Sequence, residues 1–263
     1  MTGTIGYPDQ ALQRSHQALS LAQTIAHPLS QASALTLATI LYQLRREVQA
    51  THACAEATIA FATEHAFPYW LACGVILRGW VLSAQGQAAE GITQMRQGIA
   101  TRQATGAEVA QTLALALLAE AYGRSSQPLE GLRALAEALV AVTKRDERFY
   151  EAELYRLQGE MLLGQVAART VRASAVAPTS VPERDASLLA EAESCFYQAL
   201  DVARRQQAKS WELRAAMSLS RLWQQQGKQA EARALLAPIY GWFTEGFDTA
   251  DLQEAKALLD ALA

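Results

Sequence analysis

Glu120 and Glu160 stand 40 residues apart, and each has an arginine one helical turn away. Arg124 lies four residues after the first, and Arg156 lies four before the second. Two carboxylates brought close together are the equipment of general acid–base or glycosidase chemistry, one held protonated and the other ionised. Two carboxylates within helical reach of guanidinium groups instead make a ladder of ion pairs. The spacing favours the ladder, ranks a peptide-binding patch second, and leaves a hydrolase built on Glu120 and Glu160 third. A raised carboxylate pKa with no arginine in reach would favour the hydrolase, and ion-paired carboxylates would count against it.

The remaining reactive residues carry less. His16, His27, His52 and His65 have no Cys or His partner at i+3 or i+4, so no metal is expected. Cys54, Cys73 and Cys195 are scattered through apolar text and odd in number, which argues for packed thiols in a reducing compartment. The stretch "GQAAEG" from Gly86 has the two glycines of a phosphate loop but lacks the following Lys-Ser/Thr, so no nucleotide cofactor is expected. The net charge of −3 carries no basic excess for nucleic acid or an anionic membrane. No apolar run approaches the ~18 residues of a membrane span. The opening MTGTIGYPDQ has neither the basic nor the apolar region of a signal peptide, and the expectation is a cytoplasmic protein.

The elements that must position these residues announce themselves by repetition. "ATILYQL" begins at Ala38, "GWVLSAQGQ" at Gly79, "AEAYGRSSQ" at Ala119, "GEMLLGQ" at Gly159 and "SRLWQQQGKQ" at Ser220, in steps of 41, 40, 40 and 61 residues. A second helix follows each, with small residues at Ala50, Gly91, Gly131, Ala192 and Ala232, and bulkier ones four later at Cys54, Met95, Leu135, Phe196 and Leu236. The small residues let paired helices approach, and the large one fills the gap to the next pair. Gly6 falls where Gly86 and Gly227 fall, in the turn between two helices.

Helices are predicted at 8–26, 29–44, 47–64, 68–84, 88–104, 108–124, 128–144, 148–165, 187–206, 209–226, 229–243 and 249–262, with no strand. Pro238 should kink or break the eleventh near "PIYGWF". The last, with Leu252, Ala255, Leu258, Leu259 and Leu262 on one face, should cap the array. The extra residues of the 61-residue step, 166–187, hold two prolines and no aromatic and are predicted to be a disordered loop.

This pattern resembles the tetratricopeptide repeat, with "AEAESCFYQALDVA" (Ala192, Phe196, Ala199) nearest its second-helix signature. The units run to about 40 residues rather than 34, and the consensus Trp is absent. The resemblance implies an all-α right-handed superhelix of about five helix pairs in a single domain over 1–263. Its parts are a half-repeat at 6–26, repeats at 28–66, 67–106, 107–146, 147–207 and 208–246, and a cap at 248–263. In such repeats the residue after the small position of each first helix points into the concave groove: Thr39, Trp80, Glu120, Glu160 and Arg221. Tyr42, Ile76, Arg124, Glu153, Arg156, Arg214 and Gln224 lie beside them. Trp80 is either a binding anchor or an inter-repeat packing residue. Trp70, Tyr150 and Trp211 are expected to be partly exposed, and Trp223 and Trp242 to be core.

A second resemblance spans nearly all 263 residues. "GYPDQAL", "LLAEAYG", "RFYEAELYRLQGE", "ARRQQAKSWELRAA" and "YGWFTEGFDTADLQEAKALL" look like the C-terminal repeat region of bacterial proteins that fuse an adenylate or guanylate cyclase-like domain, a predicted ATPase module and a helical array. It implies a non-catalytic regulatory arm that binds a protein, peptide or small effector in its groove and acts on upstream ATPase or cyclase domains. It also implies that the first helix of the opening half-repeat lies upstream. The alternative to a sensor is a structural spacer, self-associating as a homodimer through the apolar face of that half-repeat.

Overall fold

The computed structural model describes residues 6–107, 109–175 and 182–263. Among them are twelve α-helices and no strand. They are α1 Pro8–Ile25, α2 Pro28–Leu44, α3 Val48–Glu64, α4 Pro68–Ala84, α5 Ala88–Ala104, α6 Gln111–Arg124, α7 Pro128–Arg145, α8 Glu151–Ala175, α9 Pro182–Arg205, α10 Lys209–Gln225, α11 Gln229–Tyr240 and α12 Ala250–Ala261. A 3-10 turn at Arg148–Tyr150 leads into α8. The chain gathers into two compact units, Met1–Val109 with Phe243–Glu254 and Ala110–Trp242 with Ala255–Ala263.

Helix and turn together occupy 20 residues, and the turn sets the beat. A residue with positive φ stands at Ala26, Arg46, Ala66, Gly86, Gly106, Ser126 and Asp146, and again at Gln207 and Gly227. At most of these ends the next amide reaches back over the last turn, as Phe67 N–H does to the Ala62 carbonyl (2.8 Å) and Gln127 N–H to Tyr122 (2.8 Å). This bond satisfies a carbonyl that the helix leaves without a partner. Gly6, Gly86 and Gly227 share the left-handed turn, as their alignment predicts.

In the first unit α1 packs on α2, α2 on α3 and α4, and α4 on α5; in the second, α6 packs on α7 and α8, α8 on α9 and α10, and α10 on α11. The small residues are where the helices meet: Ala38, Gly79, Ala119, Gly159 and Ser220 are all buried. A Cβ placed on Gly79 would sit 2.7 Å from the Gly91 carbonyl oxygen, and one on Gly159 would sit 2.8 Å from the Phe196 ring (Cδ1). Both helix pairs are therefore closer than any side chain at those positions would permit.

Two expectations are corrected here. The 41-residue first step is a one-residue misregister. In α3 the buried positions are Thr51, Ala55, Thr58 and Ala62, 40 residues before Gly91, Met95, Gly98 and Arg102, whereas Ala57 is exposed. The left-handed residues Arg46 and Gly86 confirm the 40-residue step. The extra residues of 166–187 are largely not a loop. α8 runs on to Ala175 and α9 starts at Pro182, giving 25 and 24 residues against 17 or 18 in most of the others. Alanine and arginine are strong helix formers, and an Arg169–Asp185 ion pair (3.3 Å) ties the lengthened helices together. The rest of the predicted loop, 176–181, lies outside the described residues. Pro238 sits in the last turn of α11, which ends two residues later. The apolar stripe of α12 is buried at Leu252, Ala255, Leu258 and Leu262, and its Leu259 carbonyl accepts from Arg233 of α11 (3.0 Å).

Candidate functional site

The groove candidates of the first unit do not assemble. Thr39 is fully buried, its hydroxyl donating to the Leu35 carbonyl (2.7 Å) and lying 3.3 Å from the Thr58 hydroxyl. Forty residues before Gly79, it is itself the small contact position rather than the residue after it. Ile76 and Trp80 are buried at 3% and 1% exposure. Trp80 is thus a packing residue, not an anchor on an open surface. Tyr42 remains half-buried, its hydroxyl hydrogen-bonded to His16 Nε2 (3.0 Å). Burial chiefly, with Cys54 and Glu47 behind it, pushes the Tyr42 phenol up.

The second unit brings its candidates together. The first helices of successive pairs, α6, α8 and α10, lie side by side and present charged residues at matching heights. Arg156 is the hub. Its Nε and Nη2 donate to both oxygens of Glu153 (2.8 Å each), and Nη1 reaches Glu160 (3.3 Å) and the Ser218 hydroxyl on α10 (3.3 Å). Ser218 in turn donates to Glu160 (2.6 Å). Arg214 of α10 bonds Glu153 (3.5 Å) and lies over the Trp211 ring, 4.9 Å from its centre. Glu120 pairs with Arg124 on α6 (2.7 Å). Arg221 and Gln224 continue the α10 side of the row, half-buried.

The electrostatics follow from this enclosure. Burial works against the Arg156 charge, but Glu153, Glu160 and Glu120 outweigh it and raise the guanidinium pKa further above its ordinary value. Tyr150, buried beneath the cluster, has its phenol pushed well up, mainly by burial. Glu120, Glu153 and Glu160 face Arg124, Arg156 and Arg214, with Arg221 adding one positive charge to the row, and the paired partners fix one another's geometry. A bidentate pair on neighbouring turns of α8, tied to α10 through Ser218, is a rigid feature. Glu120 and Glu160 each pair with the arginine four residues away. Arginines within reach of Glu120 and Glu160 count against the hydrolase reading.

Ser218 went unnoticed in the sequence. The signal was present, because residues 214, 218 and 221 share one helix face. Tyr150 and Trp211, expected to be partly exposed, are buried at 2% each, with Trp211 Nε1 donating to the Phe149 carbonyl (3.2 Å). Trp242, expected in the core, is 37% exposed with Lys209 over its ring (5.6 Å). Trp223 is half-buried and donates to Glu193 (2.8 Å). Among the described residues no group of three or more His, Cys, Asp or Glu could hold a metal ion, and no helix is long and apolar enough to cross a membrane.

No protein-family model matches the chain, and no curated protein matches it. Solved structures do. A Q17M variant of nearly identical TPR-like repeats assigned to a kinesin light chain of Podosopora anserina is 17% identical, with a TM-score of 0.51 over 82% of this chain and 95% of that one. A second structure of those repeats gives 16% identity, a TM-score of 0.49, and coverage of 89% and 97%. The first likeness establishes the all-helical TPR-like repeat fold. Repeat arrays of this kind generally serve as extended binding surfaces for other proteins.

Proposed function

We propose that this protein is a non-catalytic interaction module that binds a peptide or protein segment across α6, α8 and α10. The contacts would come from Glu120, Arg124, Arg156, Glu160, Arg214, Arg221 and Gln224. The observation that carries this reading is the Arg156 hub. A recognition surface gains affinity when its side chains are ordered before the partner arrives, and here both signs of charge are held in place by Glu153 and Ser218 beneath. The mixed charge favours a segment carrying both signs over a purely acidic or basic one.

The test is selection of a random peptide display library on the intact chain, followed by affinity measurement on variants. Selected peptides should lose at least about ten-fold in affinity on Glu120→Lys or Arg221→Glu and should be indifferent to Arg133→Glu on the exposed face of α7. Peptides that ignore the first two variants would overturn the reading. The sequence resemblance to cyclase–ATPase fusions adds a context: this module is the regulatory arm of a larger bacterial signalling protein, acting in the cytoplasm on those domains. An immunoblot of the native gene product tests this, since the fusion requires a band several times the size of this chain. A second reading, self-association through the first half-repeat, is favoured by Leu21 and Ile25, exposed at 59% and 57% one turn apart on α1. Light scattering should then show a dimer that Leu21→Glu abolishes.

A further inference from the structure

Residues 243–254 return to the beginning of the chain. The Glu245 carboxylate accepts from the Asp9 and Gln10 amides (3.0 and 3.1 Å) and from the Gln10 side chain (3.1 Å). It thereby caps a helix whose own N-cap residue, Tyr7, supplies no side-chain bond. Asp9 answers by accepting from the Gly246 amide (2.9 Å). Behind them Asp248 pairs with Arg45 (3.7 Å), which also holds Asp9 (3.4 Å) and Glu47. Arg46 takes Asp251 (3.3 Å) and Glu254 (2.8 Å). The four carboxylates of this segment, Glu245, Asp248, Asp251 and Glu254, recur every third residue, and the segment has no basic residue. Each lands on a cation or on helix amides, so the receiving surface reads a carboxylate every third residue.

The attachment combines ion pairs at the surface with a buried seam of Phe243, Thr249, Asp251 and Leu252. Its ion pairs are partly wet: the side chains of Asp9, Asp248 and Glu254 are 50%, 75% and 39% exposed. Such pairs are individually weak and screened by salt. Nine residues without regular helix, 241–249, precede α12, and two of them are the glycines Gly241 and Gly246. The strap does bury Phe243 and Leu252, which gives it specificity beyond charge.

We infer that 243–254 is a displaceable strap, and that the α1 N-terminus with Arg45 and Arg46 forms a docking site that can take the same segment from a second copy of the chain. A tethered segment competes at an effective concentration of the order of millimolar, so the strap in cis keeps the site closed until it is loosened. Exchange of an identical element between copies then costs no new interface.

The probe is a labelled synthetic peptide of residues 241–256, titrated against the intact chain at low salt by fluorescence anisotropy. A strap-weakened variant, Glu245→Gln with Asp251→Asn, should bind it at least about ten-fold more tightly than the wild type. Arg46→Gly, which keeps a residue suited to the left-handed turn, should lose that binding when added to the weakened variant. A peptide with all four carboxylates changed to amides should not bind. Equal binding to wild type and weakened variant, or equal binding by the amide peptide, would overturn the inference. A second readout needs no variant. Hydrogen exchange at the Asp9, Gln10 and Gly246 amides of the wild type should rise together between about 50 and 500 mM NaCl while α10 is unchanged. Persistent protection of those three amides would show that the strap does not release.

Discussion

Replacing Gly79 with alanine puts the account of helix packing at risk, because the same change elsewhere in the array should have the opposite sign. In a helix interior Gly→Ala gains about 1 kcal/mol from propensity alone. At Gly79 the added Cβ would meet the Gly91 carbonyl oxygen and Met95 Cγ at 2.7 Å and the Met95 amide nitrogen at 3.1 Å. Two of those atoms are backbone, so α4 and α5 must move apart rather than a side chain give way. Overpacking of this kind costs about 1–3 kcal/mol, and a backbone neighbour puts the cost near the top of that range. The net is a loss of about 2 kcal/mol, roughly a 30-fold shift toward the unfolded state. At Gly164 in α8 the neighbour among the described residues is Pro128 Cβ at 3.6 Å, an ordinary contact, so Gly164→Ala keeps most of the ~1 kcal/mol gain. Equilibrium urea unfolding followed by circular dichroism reads both. A Gly79→Ala chain as stable as the wild type would refute the reasoning, since the small residues would then not set the helix spacing.

Three further outcomes follow from the same geometry. Gln207 holds φ at 53° in the turn after α9, so Gln207→Gly should raise stability by about 0.5–1 kcal/mol in the same urea assay despite the greater entropy of the unfolded chain. Arg156→Met keeps the aliphatic stem but takes both 2.8 Å donors from Glu153, whose side chain is 7% exposed and which keeps Arg214 at 3.5 Å, and should cost about 2 kcal/mol in the urea assay. Burial raises the Glu212 pKa, but hydrogen bonds from Lys209 and Arg204 outweigh it and hold the carboxyl below its ordinary 4.5. Its stabilisation is therefore complete above pH 4.5 and disappears as the pH falls through the lower folded value. Measured by urea unfolding, the stability gap between wild type and Glu212→Gln should be constant above pH 4.5 and close below it.

Much of the fold could be read in advance because the repeat is written in the residues that cannot be exchanged. The small positions Gly79, Ala119 and Gly159 recur at 40, and most helix bounds came out within two residues. The finer 20-residue beat was also present. Pro8, Pro28, Pro68 and Pro128 are spaced by multiples of 20, each opening a helix two residues after a left-handed turn. That beat pairs Thr39, not Ala38, with Gly79. The left-handed residues Ala26, Arg46, Ala66 and Gln207 gave no such signal, because the helix-end hydrogen bonds hold them there against their own preference. The predicted loop at 166–187 failed for a different reason. Two prolines and the lack of an aromatic point to a loop, whereas its alanines and arginines favour helix and Pro182 suits a helix start.

The candidate site was legible where charge decided it and illegible where depth decided it. Glu120, Arg124, Arg156 and Glu160 pair as their i±4 spacing requires. Trp80 stands in the register of Glu120 and Glu160, yet it is buried whereas they stay partly exposed. A sequence alignment gives the direction of a side chain but not how far its neighbours close over it. The strap was missed because its contacts join residues more than 200 positions apart, which no local pattern reports, although its carboxylates at every third residue were there to be seen.

The central claim, that the charged row on α6, α8 and α10 is the binding surface, is tested most directly by a hydrogen-exchange footprint. The tightest peptide from the display selection would be added in saturating amount to the intact chain. The account predicts that new protection concentrates at 111–124, 151–164 and 209–225, and that α7, α9 and α11 are unchanged. A footprint on α7, α9 or α11, or one confined to α1–α5, would contradict it.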